Sequence, residues 1–255
     1  MLTVDLGNSR LKACLWGRSG ASFDCVARWE ADAAELEGFE GWLAHRRAPL
    51  AALASVAARA HTERVLALLA ARCERTFLGP DSGLEIRCSE PDRVGADRLY
   101  AAAGAADLAG RSCLVVDAGT ALTVDAVLVS ADARAFLGGA IAPGPRLSAA
   151  ALAAGTARLP RVEPRAGAPA LGTITEEAIQ AGVVVGFRGA AELLVEELAR
   201  EVRFEAAPVV LTGGAREFLL VPRPFTARAL TVVPDLVHQG LLAALLRVAD
   251  ARPAP

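Results

Sequence analysis

Two segments of this chain set an aspartate, a glycine and small polar residues in the same order. One is Asp5-Leu6-Gly7-Asn8-Ser9; the other, close to half a chain later, is Asp117-Ala118-Gly119-Thr120-Ala121. Each follows a short apolar run (residues 2–4 and 114–116) and precedes another (residues 11–16 and 122–128). A strand, a tight turn and a return strand make a β-hairpin with a polar tip. Glycine lets backbone N–H groups in such a turn come close to an anion. The short polar side chains add donors, and the aspartate can hold a divalent cation or its waters, as magnesium–phosphate sites require. Two such hairpins facing each other would grip a nucleotide triphosphate from both sides. D-x-G also occurs in ordinary turns, where the aspartate only caps the backbone. Two copies at matching places favour the phosphate reading.

The same region holds the chain's only lysine, Lys12, and its only asparagine, Asn8. With 27 basic residues in total, the other 26 are arginines. A compact ammonium and a planar guanidinium are not interchangeable near phosphate, which gives the surviving lysine a reason. Gly95-Ala96-Asp97-Arg98 stands at a strand-to-helix junction. There Asp97 is either a favourable charge on a helix N-terminus or a general base held by Arg98 at a cleft, and the residues alone leave both open. Thr212-Gly213-Gly214 ends a strand, and its glycines would let the backbone approach a flat ligand such as an adenine ring.

Composition narrows the classes. At 255 residues the chain can bury a large core as one domain or two lobes. Net charge is −2, with arginines scattered among 29 acids, which gives no general attraction to nucleic acid. No uninterrupted run reaches the ~18 apolar residues of a membrane span, and the N-terminus does not read as a signal peptide. The five cysteines (Cys14, Cys25, Cys73, Cys88, Cys113) include no C-x-x-C, which argues for reduced core thiols and a cytoplasmic location. The three histidines are far apart and read as core or surface residues.

The elements that must position these residues follow from periodicity. Residues 1–16 read as the first hairpin and 22–29 as a third strand. Residues 31–46 have helical spacing through Leu36, Phe39 and Leu43. Residues 50–56 resemble a buried strand, Thr62 can cap a helix running to about Cys73, and residues 94–109 form an alanine-rich helix. In the second half a hairpin from Cys113 is followed by a strand over 136–141 and a turn at 142–145. A helix follows over 146–154, then a Pro/Gly-punctuated loop over 155–172. Thr173-Ile174-Thr175-Glu176 reads as a capping box at the head of a long helix. Gly182, Gly186 and Gly189 fall on nearly one face of it, where another helix could approach. Residues 208–211 form a strand, and 232–248 a final strand-to-helix segment. The expected fold is α/β with two lobes, 1–110 and 111–255.

Taken together, these motifs resemble the type III pantothenate kinase family. That family's run is D-x-G-N-[TS], G-x-D-R, D-x-G-T-A, G-G-x-I-x-P-G, a threonine before a glycine-containing helix, and T-G-G. Here they stand in order as residues 5–9, 95–98, 117–121 and 138–144, Thr175 with Gly182, and residues 212–214. Any one is common; six in order are specific. The resemblance implies two duplicated ribonuclease-H-like lobes around a nucleotide cleft, the actin-like ATPase fold. It implies transfer of the ATP γ-phosphoryl to pantothenate, a divalent cation such as Mg2+, a monovalent cation such as K+ or NH4+, and a homodimer, with no nucleic-acid or membrane partner.

The resemblance also implies roles. Asp5, Gly7, Asn8, Ser9, Arg10 and Lys12 would cradle the triphosphate and its magnesium, with Asp5 on the metal directly or through water. Thr120 would contact phosphate, and Thr212, Gly213 and Gly214 would meet the nucleotide. Asp117 would hold the monovalent cation. Asp97 would accept the proton. Gly95, Ala96, Asp97 and Arg98 would line the pantothenate site, and Thr175 would reach it from the long helix across the dimer. Members commonly carry a tyrosine seven residues before the glycine of G-x-D-R; that place is Cys88 here. Two alternatives follow: a kinase for another small alcohol, which Cys88 favours, and a non-catalytic regulatory relative, which the presence of Asp5, Asp97, Asp117 and Lys12 opposes.

Overall fold

The computed structural model describes residues 1–221, 224–225 and 227–250. In chain order the first elements are β1 (Leu2–Leu6), β2 (Arg10–Ser19), β3 (Ser22–Asp32), α1 (Leu36–Leu43), β4 (Ala48–Ser55), α2 (Arg59–Ala70), β5 (Cys73–Leu78), the two-residue β6 (Glu85–Ile86) and α3 (Ala96–Ala109). Then come β7 (Cys113–Ala118), β8 (Ala121–Val129), β9 (Arg134–Pro143), α4 (Pro145–Gly155), α5 (Thr175–Glu201), β10 (Val209–Thr212), β11 (Leu230–Val232) and α6 (Leu236–Asp250).

The chain forms two compact units. One holds Met1–Leu108 together with α6; the other is Ala109–Asp235. In the first, five strands run in the order β3-β2-β1-β4-β5. β1 pairs antiparallel with β2, and β2 with β3, while β1, β4 and β5 are parallel. In the second unit the order β9-β8-β7-β10-β11 repeats that plan: an antiparallel meander, then two parallel strands. The twin motifs thus end equivalent strands, β1 and β7. The final helix, which the sequence reading grouped with the second lobe, packs against β1 and β4 of the first unit.

Strand alternation builds both cores. Leu2, Val4, Leu6, Leu11 and Ala13 face one side of the first sheet and pack with Leu36, Phe39 and Leu43 of α1 and Val65 and Leu69 of α2. In the second unit Leu114, Val116, Leu122 and Val124 pack with Val184, Phe187, Ala191 and Val195 of α5. α5 is long and apolar enough to cross a membrane by length and composition. Its packing against this sheet accounts for the buried ones among its apolar side chains, while Val185 and Leu193 stay exposed.

Local boundaries differ from the sequence reading in three places. β3 continues to Asp32, and Asp32 then accepts the Ala34 and Glu35 N–H groups in a turn, so α1 starts only at Leu36. Thr62 does not cap α2. Ala58 holds that position, and the buried Thr62 hydroxyl bonds the Ala58 carbonyl and Ser55 Oγ inside the first turn. At α5 the cap is one-sided and uses the next glutamate: Ile174 holds the N-cap position with no side-chain bond of its own. The Glu177 carboxylate accepts both the Thr173 N–H and its hydroxyl, each at 2.8 Å, and these bonds hold that carboxyl below its usual range.

Candidate active site

The first turn is built by the β1–β2 pairing. Asp5 stands directly opposite Lys12, and Lys12 opposite Glu30 of β3, so these three side chains share one face of the sheet. Residues 7–9 form the turn. The Gly7 N–H donates to Arg10 O at 2.9 Å, and the Ser9 carbonyl accepts from Ala33 N at 3.0 Å. Gly7 is not left-handed; its role is space, because a Cβ there would lie 3.3 Å from Arg10 O. Asn8, Ser9 and Arg10 are exposed at the tip, and Arg10 pairs with Glu30 at 3.1 Å in a solvent-facing bridge of small energetic weight.

The G-x-D-R segment joins the same end of this unit through β4. Val56 N donates to Leu6 O at 3.0 Å, directly beside the Asp5 turn. A Cβ on Gly95 would lie 3.5 Å from Val56 and 2.5 Å from Asp97 Oδ1. Glycine is therefore required for the Asp97 carboxylate to fold back over the start of α3, where it accepts the Arg98 N–H at 2.8 Å. The structure thus brings Gly95 and Asp97 to the strand end that carries the first turn. Val56 supplies the link. No sequence signal marks it, since an apolar residue at a strand end looks like any core valine.

In the second unit three motifs meet at one turn. Thr212 is in register with Asp117 on adjacent parallel strands. Gly213 has φ +96°, and a Cβ there would lie 2.2 Å from Ala118 O and 2.4 Å from Asp117 Oδ1. Ala215 N donates to Ala118 O at 2.7 Å, which closes the T-G-G loop over the D-A-G-T turn. From the other side Gly144 N donates to Thr120 O at 3.0 Å, and a Cβ on Gly144 would fall 2.4 Å from Gly119 O. Gly144 was legible only as part of a motif; its contact with Thr120 shows why glycine is needed there.

Two predicted residues, Thr175 and Cys88, lie outside these contacts. Thr175 opens α5 on an exposed turn. Cys88 is half-buried in the loop after β6. Tyr100 does not stand in for the missing ring. It is 3% exposed, donates its hydroxyl to the Pro80 carbonyl, and burial pushes its pKa up. The five cysteines are free thiols.

The donor set suits a hard cation shared with a ligand. Among the described residues no group of three His, Cys, Asp or Glu side chains could cage a metal. A single carboxylate beside a polar turn fits magnesium, which keeps its waters and takes its remaining oxygens from a phosphate ligand.

Residues 1–197 match the family model for type III pantothenate kinase. The chain belongs to that family. A type III pantothenate kinase from Dehalococcoides mccartyi strain CBDB1 is 41% identical over 167 residues, covering 64% of this chain and 59% of the relative. One from Thermus thermophilus is 43% identical over 173 residues, covering 66% and 64%. The chain thus spans about three fifths of the length of the curated relatives it matches. A crystal structure from Sinorhizobium meliloti, of a protein named for 2-dehydro-3-deoxygalactonokinase, aligns with TM-score 0.54 at 14% identity over 100% of this chain and 98% of that one. The fold is the actin-like ATPase fold with two sheet-containing lobes.

Proposed function

We propose that this chain phosphorylates pantothenate with ATP, giving 4′-phosphopantothenate on the way to coenzyme A. The match of residues 1–197 to the family carries the reading. The way each unit gathers its own motifs at one strand end supports it. In the first unit Asp5 and Lys12 pair across the hairpin and Asp97 stands near its base. In the second, Asp117, Thr120 and Gly213 share a turn.

Residues 5–12 hold the triphosphate, with Asp5 as the carboxylate for Mg2+ or its waters. Thr120 contacts phosphate, and residues 212–214 meet the nucleotide. Asp117 holds K+ or NH4+, a bound cation that offsets phosphate charge. Asp97 accepts the proton of the substrate hydroxyl, while Gly95, Ala96, Arg98, Cys88 and Thr175 shape the acceptor site. Phosphoryl transfer suits such a site, since positioning and electrostatic stabilisation supply most of the rate. The chain works as a cytoplasmic homodimer. Gly182, Gly186 and Gly189 of α5 have open space around them, with Val185 and Leu193 exposed on the same helix. Sedimentation should therefore give a dimer that Gly186→Arg disrupts.

A second reading, a kinase for another small alcohol, is favoured by Cys88 and by Tyr100 being tied to Pro80. The deciding experiment is ATP consumption with pantothenate against a panel of small alcohols. Turnover greatest with pantothenate supports the first reading; a different best acceptor replaces it with the second.

A further inference from the structure

The sheet face that carries Asp5 and Lys12 also carries a buried polar chain. Thr3 pairs directly with Cys14 and Asp5 with Lys12, so all four lie on one side of β1 and β2, with Trp16 beyond them. Thr3 is 0% and His238 of α6 4% exposed. Trp16 Nε1–H donates to Thr3 Oγ1 at 2.8 Å, and His238 Nδ1 lies 2.9 Å from the same hydroxyl. The Cys14 carbonyl is farther, at 3.5 Å. Which of Thr3 Oγ1 and His238 Nδ1 donates in their shared bond follows the tautomer of the ring. Burial first, then the charges of Lys12 and Arg28, hold this imidazole uncharged. Lys12 thus meets a neutral neighbour. His238 stands beyond the residues matched by the family model.

We propose that His238 is a positioning residue for the nucleotide turn: through Thr3, two residues from Asp5, it fixes the hairpin face on which Lys12 is presented to phosphate. The inference rests on the nucleotide reading given above. Without the imidazole, the buried Thr3 hydroxyl keeps only the Trp16 bond and the longer one to the Cys14 carbonyl, and β1 relaxes beside Asp5.

Isothermal titration calorimetry of the full chain with the Mg2+ complex of a non-hydrolysable ATP analogue tests it. His238→Leu should weaken binding about tenfold, and His238→Asn, which returns a polar partner to Thr3, should restore most of the loss. Thr3→Val and Thr3→Ser should repeat that pattern. In steady state the KM for ATP should rise while that for pantothenate stays. A folded His238→Leu that binds like the wild type overturns the proposal, and so does an Asn variant as weak as Leu, which would reduce the ring to packing. If His238→Leu does not fold, the Thr3 pair decides by the same criteria. A wild-type chain that binds no nucleotide removes the proposed function and this inference with it. A binding wild type with unaffected variants removes this inference alone.

Discussion

Lys12 faces Asp5 on one flank and Glu30 on the other, so its ammonium sits in a row of alternating charge. Lys12→Ala should raise the Kd for Mg·nucleotide by about tenfold, the scale of one charge-assisted contact; an unchanged Kd in calorimetry would make the lone lysine a coincidence. Asp97→Asn keeps an acceptor for the Arg98 N–H and so keeps the start of α3, but loses the basic oxygen. Turnover should fall by about a hundredfold or more while nucleotide affinity holds, and a variant that still turns over would remove Asp97 from the base role. His238 has a pH signature of its own. Burial, with Lys12 and Arg28 facing it, pulls its pKa from 6.5 down to about 3. The unfolded chain therefore binds that proton first as pH falls. The stability His238 contributes is whole above pH ~6.5 and is lost towards pH 3, at up to about 1.4 kcal/mol per pH unit. Urea unfolding at pH 7, 5.5 and 4.5 should show the loss in the wild type, and His238→Asn should flatten it.

At the scale of elements, backbone contact decides more than side-chain character. α3 and α6 cross where a Cβ on Gly104 would lie 2.7 Å from Leu236 O and one on Gly240 would lie 1.9 Å from Tyr100 O. Gly240→Ala must push the helices apart and should cost about 1–3 kcal/mol, seen as a lower Tm with the same fold by circular dichroism. The apolar spacing of Leu36, Phe39 and Leu43 marked α1 correctly, but not its start. A turn held by Asp32 competes with helix there, and propensity cannot rank the two. The cap of α5 slipped by one residue for a similar reason: Glu176 and Glu177 both stand near Thr173, and only the built turn selects Glu177.

For the whole molecule the governing fact is duplication, one strand plan used twice with an acidic turn at the same place in each copy. If Asp117 holds a monovalent cation, exchanging K+ for Na+ should lower turnover at fixed Mg2+. Indifference to the exchange would undercut that role. Sequence alone determined the two turns, the order of motifs, the alternation that builds each core and the family they resemble, because each is written in neighbouring residues. Tertiary structure decided the rest: that α6 returns to the first unit, that Gly144 and Gly213 close on one turn from two sides, and that Thr3, Trp16 and His238 share one hydroxyl. These contacts join residues far apart in the chain. Several depend on a missing Cβ or a single buried proton, which no local pattern of residues records.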